Sequence, residues 1–254
     1  MLARNLSGTT AIVTGASRGF GRATAVALTR RGARVIGVAR GATPLRELRD
    51  ELGDSFYPEV ADVADPSLSQ RLIAQYRPQT IVLNAGATPS VGSLLDHNWD
   101  TFSTNWDIDV RHVFHFARAA LQAPLEPGSA VISLSSGAAL RGSPLSGGYA
   151  GAKATIKFIS AYAALEARRA GSAIRFVAVL PQLTPATDLG RRYTQAYAEQ
   201  AGVSEAQFVD GFGGELTTDQ AAASIADLVV DDTLSAPAYL LGAEGLRPVG
   251  GDIG

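Results

Sequence analysis

The chain has 254 residues, 46% hydrophobic and 18% charged, enough apolar material for a sizeable globular core and far from the composition of a disordered segment. A formal net charge of −2 leaves no electrostatic footprint for nucleic acid. The absence of cysteine excludes disulfides, thiolate metal sites and cysteine nucleophiles, and fits a reducing compartment.

Short β-rich runs alternate with longer helical patterns, the signature of a parallel sheet covered on both faces. Thr10–Val13 reads as a strand and Gly19–Arg31 as a helix closed by Gly32. A second strand spans Arg34–Val38, and Thr43-Pro44 then reads as N-cap and first residue of a helix. Phe56–Ala61 is a third strand, followed by Asp65-Pro66 as another such start. Thr80–Leu83 is a fourth, before a long helix over Trp99–Leu121. Ala130–Leu134 is a fifth, Tyr149–Gly171 a helix, Ile174–Leu180 a sixth strand, and Ala238–Leu241 the last. The expectation is α/β: one doubly wound parallel-sheet domain over 1–254, with about seven strands and a helical lid inserted at about 184–214. No run approaches the ~18 apolar residues of a membrane span. The opening MLARNLSGTTAIVTG lacks the apolar region of a signal peptide, so a cytoplasmic protein is expected.

Chemistry concentrates in one helix. Only Lys153 and Lys157 are lysines, so 20 of the 22 cationic side chains (22 minus 2) are arginine. Lys153 lies four residues after Tyr149, and positions i and i+4 are neighbours on a helix face. An ammonium beside a phenol favours the phenolate, which makes the phenol a usable proton donor or acceptor near neutrality. Before that, strand one runs into Thr14-Gly15-Ala16-Ser17-Arg18-Gly19-Phe20-Gly21, a glycine-rich turn opening a helix. Glycines permit close backbone approach to a pyrophosphate, and the helix N-terminus offers N–H donors. The spacing Gly-x-x-x-Gly-x-Gly carries no Gly-Lys-Ser/Thr ending of the nucleotide triphosphatases.

TGASRGFG, Asn84-Ala85-Gly86, Ser136 and Tyr149-x-x-x-Lys153 occur in a fixed order, with Ser136 thirteen residues before Tyr149. In these motifs the chain resembles the short-chain dehydrogenase/reductase family, classical type, over roughly residues 7–245. The resemblance implies a nicotinamide cofactor and hydride transfer between it and a carbonyl or secondary alcohol. It gives Tyr149 the proton transfer, Ser136 the hydrogen bond to the substrate oxygen, and Lys153 the nicotinamide ribose and the tuning of the phenol. Asn84, Ala85 and Gly86 would flank the adenosine ribose, Asp62 and Val63 the adenine, and backbone near Leu183 the nicotinamide carboxamide. It also implies a homotetramer or homodimer joined through Trp99–Leu121 and the Tyr149 helix, with a small-molecule substrate; from charge and hydropathy no nucleic-acid or membrane partner is expected. Two alternatives stay open: reduction of a C=C or C=N bond on the same scaffold, and a catalytically silent cofactor-binding regulatory protein.

Charge bears on cofactor choice. NAD-selective sites place an acid near the end of the second strand, where it repels a 2′-phosphate. Here that strand runs Gly37-Val38-Ala39-Arg40, and Arg18 stands in the glycine-rich turn, so the expected cofactor is NADP(H) in preference to NAD(H).

The chain departs from the family pattern in three places. Where an active-site asparagine is usual, before Phe114, stands Asp109, with Asn105 four residues earlier; either could take the fourth catalytic place. Asp109 is expected to pair with Lys153 directly or through water, with Asn105 in that role or Asp109 as a cap the alternatives. Pro181-Gln182 replaces the usual Pro-Gly, and Gln182 could point into the substrate cleft; Gly250-Gly251-Asp252 only echoes the usual ending. His112 and His115 have a spacing compatible with metal ligands, but histidines on a packed helix face are commoner and no metal is expected. Trp99 and Trp106 read as core or lid packing.

Overall fold

The computed structural model describes residues 5–123, 125–211, 213–231 and 233–250. In chain order these form β1 (Thr10–Thr14), α1 (Gly19–Arg30), β2 (Arg34–Ala39), α2 (Ala42–Leu52), β3 (Phe56–Val60), α3 (Leu68–Tyr76) and β4 (Thr80–Leu83). Then come α4 (Trp99–Asn105), a π-helical segment (Trp106–Val110), α5 (Arg111–Gln122), β5 (Ala130–Leu134), α6 (Ala138–Arg141) and α7 (Tyr149–Arg169). The chain continues through β6 (Arg175–Pro181), α8 (Asp188–Ala201), α9 (Glu205–Asp210), α10 (Thr218–Val230), β7 (Ala238–Gly242) and β8 (Gly245–Pro248).

One eight-stranded sheet carries the order β3-β2-β1-β4-β5-β6-β7-β8, parallel except for the β7–β8 hairpin. The expected α/β doubly wound architecture is therefore present, with an eighth strand beyond the expected last one. β8 has weak local signal: Gly245–Pro248 contains an arginine and a proline and depends on pairing with β7, Leu240 facing Arg247. A run such as Ile12, Val13, Ile36, Val38, Ile81 and Val82 is almost wholly buried, as strands covered on both faces must be. Leu28, Leu45, Leu48 and Ile225 from α1, α2 and α10 fill one face of the sheet; Leu72, Phe116 and Ile156 from α3, α5 and α7 fill the other. Fully burying a ring such as Phe56 or Phe116 contributes about 1.5–3 kcal/mol. Along α7 the inward positions are Ala152, Ile156, Ser160, Ala163 and Ala167, four of them small, which lets the helix lie close against α5 and β6.

Three helix boundaries differ from the sequence expectation. α2 begins at Ala42 with Gly41 as N-cap, which puts Pro44 third in the helix; its missing N–H is one of the first-turn donors that lacks an intrahelical acceptor anyway. α3 begins at Leu68, because Asp65 accepts from the backbone and hydroxyl of Ser67 and turns the chain before the helix starts. The long helix after β4 is interrupted by the π segment at Trp106–Val110, which contains the buried Asp109. After β6, α8 is capped by the Thr187 hydroxyl accepting from Gly190 N–H, and α9 by a reciprocal Ser204–Gln207 box. Of the Gly250-Gly251-Asp252 echo, residues 251 and 252 lie outside the described residues.

Candidate active site

In an open α/β sheet, ligands bind at the carboxyl ends of the strands where the order reverses, here between β1 and β4. A cavity of about 1020 Å³ opens there. Gly15, Ser17, Arg18, Gly19 and Phe20 of the first turn line it, with Arg40 after β2 and Asp62 and Val63 after β3. Asn84, Ala85 and Gly86 line its middle; Ser136, Tyr149, Lys153, Asp109 and Leu183 line its other half. Gly21 and Asn105, also expected at the site, stand behind the cavity wall.

The turn is a backbone cradle. Gly15 has φ +68°, and a Cβ there would meet Asn84 Nδ2 at 2.6 Å; a Cβ on Gly21 would fall 2.2 Å from the Gly15 carbonyl oxygen. Only glycine fits both. Asn84 closes the cradle by donating Nδ2 to the Thr14 carbonyl at 3.1 Å, while its backbone and that of Ala85 donate to Thr14 Oγ1 at 3.0 and 3.1 Å. Thr14 is thus a site residue that sequence reasoning passed over. Its position as the last residue of β1, next to the glycine turn, was the available signal. Such a bare backbone cradle ahead of a helix N-terminus suits a dinucleotide pyrophosphate, so the residues present fit the nicotinamide cofactor. Arg18, 71% exposed, lies 3.6 Å from Asp188 at the start of α8, while Arg40 has no acidic partner among the described residues.

The other half holds the ionisable groups. Lys153, buried on α7, donates to the Leu134 carbonyl at 3.1 Å and pairs with Asp109 Oδ2 at 3.2 Å, so the direct contact is the one formed. Asp109 is itself held by the Ala87 N–H at 2.7 Å, and Asn105 Nδ2 bridges the Asp109 carboxylate (3.3 Å) and the Ala87 carbonyl (3.0 Å). Gly86 lets the carboxylate in: a Cβ there would meet Asp109 Oδ2 at 2.7 Å. Burial alone would drive the Lys153 ammonium toward neutrality, but the Asp109 carboxylate and Tyr149 outweigh it and hold its pKa above the usual lysine value. Lys153 Nζ lies 5.4 Å from the Tyr149 ring centroid. Ser135, the neighbour of Ser136, fixes the helix here by donating to the Lys153 carbonyl at 2.7 Å. Ser136 Oγ accepts from the Ala138 N–H at 3.2 Å.

Other expectations resolve differently. Gln182 lines the cavity, but its amide donates to the Gly214 carbonyl at 2.8 Å, so the side chain ties down the segment before α10 instead of reaching into the cleft. His112 is buried beneath the site, edge-on to Phe116, and neither ring nitrogen reaches a hydrogen-bond partner. Burial, reinforced by the Lys153 charge, lowers its pKa to about 3, so the ring is neutral. His115 instead packs edge-on to Phe114. Among the described residues no group of three or more His, Cys, Asp or Glu could hold a metal ion. Trp99 is 74% and Trp106 39% exposed, so neither is core: a helix face after β4 carries them outward.

The cradle at the end of β1 and the crevice at the strand-order reversal together define a dinucleotide-binding type of α/β fold. A family model described as short chain dehydrogenase matches residues 9–198, and the chain belongs to that family. It is 35% identical over 170 residues to a short chain dehydrogenase of Pseudocercospora fijiensis, covering 63% of this chain and 55% of the relative. It is 34% identical to an uncharacterized short-chain type dehydrogenase/reductase of Sinorhizobium fredii (67% of this chain, 68% of the relative). It is 32% identical over 130 residues to carbonyl reductase (NADPH) 2 of Sus scrofa, covering 50% and 53%. The matched part thus spans little more than half the length of the first and third of these relatives.

Proposed function

We propose that the protein is an NADP(H)-dependent oxidoreductase interconverting a carbonyl and a secondary alcohol, with Tyr149 as general acid/base. The observation that carries this is the convergence of Ser136, Tyr149 and the Asp109-paired Lys153 on the cavity that also contains the glycine cradle. The bound nicotinamide supplies or accepts the hydride. In reduction the substrate oxygen gains negative charge, and the Ser136 hydroxyl and Tyr149 phenol, both lining the cavity, would donate to it. Tyr149 then releases its proton to that oxygen, and the Lys153 ammonium stabilises the negative charge left on the ring. Asp109 and the Leu134 carbonyl keep that ammonium in place. In oxidation the same residues act in reverse.

NADP(H) is favoured because β2 ends at Ala39 and is followed by Arg40 with no acid, and Arg18 also lines the cavity. The Sus scrofa relative carries NADPH in its name. We read 184–214 as a lid of a single domain: Tyr193 of α8, pushed up in pKa by burial and so kept protonated, donates to the Pro89 and Ser90 carbonyls at 3.3 Å each. A homodimer or homotetramer is favoured by the exposed Trp99, Phe114, Phe158 and Tyr162 on α4, α5 and α7. No described helix is long and apolar enough to cross a membrane; the cysteine-free composition favours the cytoplasm.

The test is consumption of NADPH and NADH against a panel of ketones and diketones, with Tyr149→Phe alongside. Expected is turnover at least tenfold more efficient with NADPH, and a loss of roughly 10²-fold or more in Tyr149→Phe. A tenfold preference for NADH overturns the cofactor assignment. Cofactor binding with no turnover favours the regulatory reading.

A further inference from the structure

We propose that the cavity beyond Ser136 and Tyr149 is built for a carbonyl substrate bearing a carboxylate on an apolar or aromatic body, the carboxylate held by Arg141 and Arg247. This deepens the reading above and rests on the same cavity being catalytic.

Arg141 ends α6, the short helix that follows Ser136. Arg247 comes from β8, directly opposite Leu240 of β7, and directly paired residues of neighbouring strands point to the same face of a sheet. Leu240 Cδ1 lies 3.7 Å from where a Cβ on Gly137 would stand, so the Arg247 stem rises on the face that carries Gly137 and α6. Both arginines are exposed residues lining the cavity mouth, and among the described residues neither side chain has an acidic or hydrogen-bonding partner.

The acids that line the cavity are already engaged. Asp109 is paired with Lys153, Asp188 with Arg18 and Arg191, and Asp62 accepts from the Ala64 N–H. The substrate half therefore presents two uncompensated guanidinium groups, whose planar forks match a carboxylate. Arg247 stands far from the 2′-phosphate site proposed at Arg40: β2 and β8 are six strand spacings apart, roughly 29 Å. The Tyr197 and Phe208 rings also line the cavity and stack at 6.0 Å and 7°. The Tyr197 hydroxyl is occupied by Ser143 and by the Leu145 N–H, so this wall meets a substrate with aromatic carbon and not with a free hydroxyl.

The test compares 4-oxo-4-phenylbutanoate with its methyl ester, both as ligands for the full chain saturated with NADP, by calorimetry, and as substrates with NADPH. The acid is expected to bind at least tenfold tighter than the ester, and rising salt should narrow the gap. Arg141→Ala/Arg247→Ala should bring the acid to the ester's affinity and leave the ester unchanged; the double Lys variant should retain part of the preference. Equal affinity for acid and ester, no binding of the acid at millimolar concentration, or equal loss of both in the double variant overturns the proposal. A Tyr149→Phe chain that binds both ligands normally yet still turns them over would instead sink the catalytic reading and leave the binding comparison intact.

Discussion

Replacing Asp109 probes the electrostatic centre of the site. At 3.2 Å from Lys153 Nζ, and with an effective dielectric of ~20, its carboxylate contributes about 5 kcal/mol of attraction. Both side chains are buried, so solvent screens little of this. Asp109→Ala leaves the Ala87 N–H without its acceptor and Lys153 with the Leu134 carbonyl alone. An uncompensated buried charge costs roughly 3–5 kcal/mol, which for a chain of this size corresponds to a fall in Tm of roughly 10 °C. Asp109→Asn keeps an oxygen for Ala87 and removes only the charge, so it separates geometry from electrostatics. In the native protein the Lys153 pKa is raised above its ordinary 10.5. The ion pair therefore stabilises the fold fully below that pH, and the contribution is lost as pH rises through the folded value. Without the carboxylate, burial dominates and the folded pKa falls, so the alkaline limbs of both activity and stability move to lower pH in either variant. Turnover profiles from pH 6 to 10, with denaturant titrations at each pH, read both effects. An Asp109→Ala protein with unchanged turnover, pH profile and unfolding midpoint would refute the assignment.

The buried His112 makes the opposite pH prediction. Its pKa falls from 6.5 unfolded to about 3 folded, so stability is full above pH 6.5 and declines as pH drops toward 3, by up to about 5 kcal/mol. His112→Phe should flatten the acid limb of a stability-versus-pH curve by about one proton; an unchanged slope would show that the imidazole is not held neutral. For the cradle, Gly21→Ala sets a methyl 2.2 Å from the Gly15 carbonyl oxygen and 2.4 Å from Asn84 Nδ2. It should cost about 1–3 kcal/mol and weaken NADPH binding by at least tenfold in a fluorescence titration, and undiminished binding would count against the cradle.

Much of the scaffold was legible because its signals are local. The strand-to-helix turn at Gly15–Gly21 is read from adjacent residues, and the Tyr149/Lys153 pair from the pitch of one helix. The alternation of apolar runs with helical patterns was enough for a doubly wound sheet. Boundaries failed where a side chain acted on its own backbone outside the regular pattern, as Asp65 does in delaying α3. β8 was missed because its four residues form a strand only against β7.

Residue types and short spacings thus settled which groups were available: a phenol, an ammonium, two candidate fourth residues, a glycine turn and an excess of arginine. Folding decided which of them meet. Asp109 rather than Asn105 lines the cavity because a π turn carries it toward Gly86 and Lys153. Gln182 turns away because the Gly214 carbonyl lies within its reach, and Arg247 arrives from an edge hairpin far along the chain. Such pairings join residues tens to more than a hundred positions apart, and their strength depends on ångström-scale distance and burial, neither of which a linear pattern encodes.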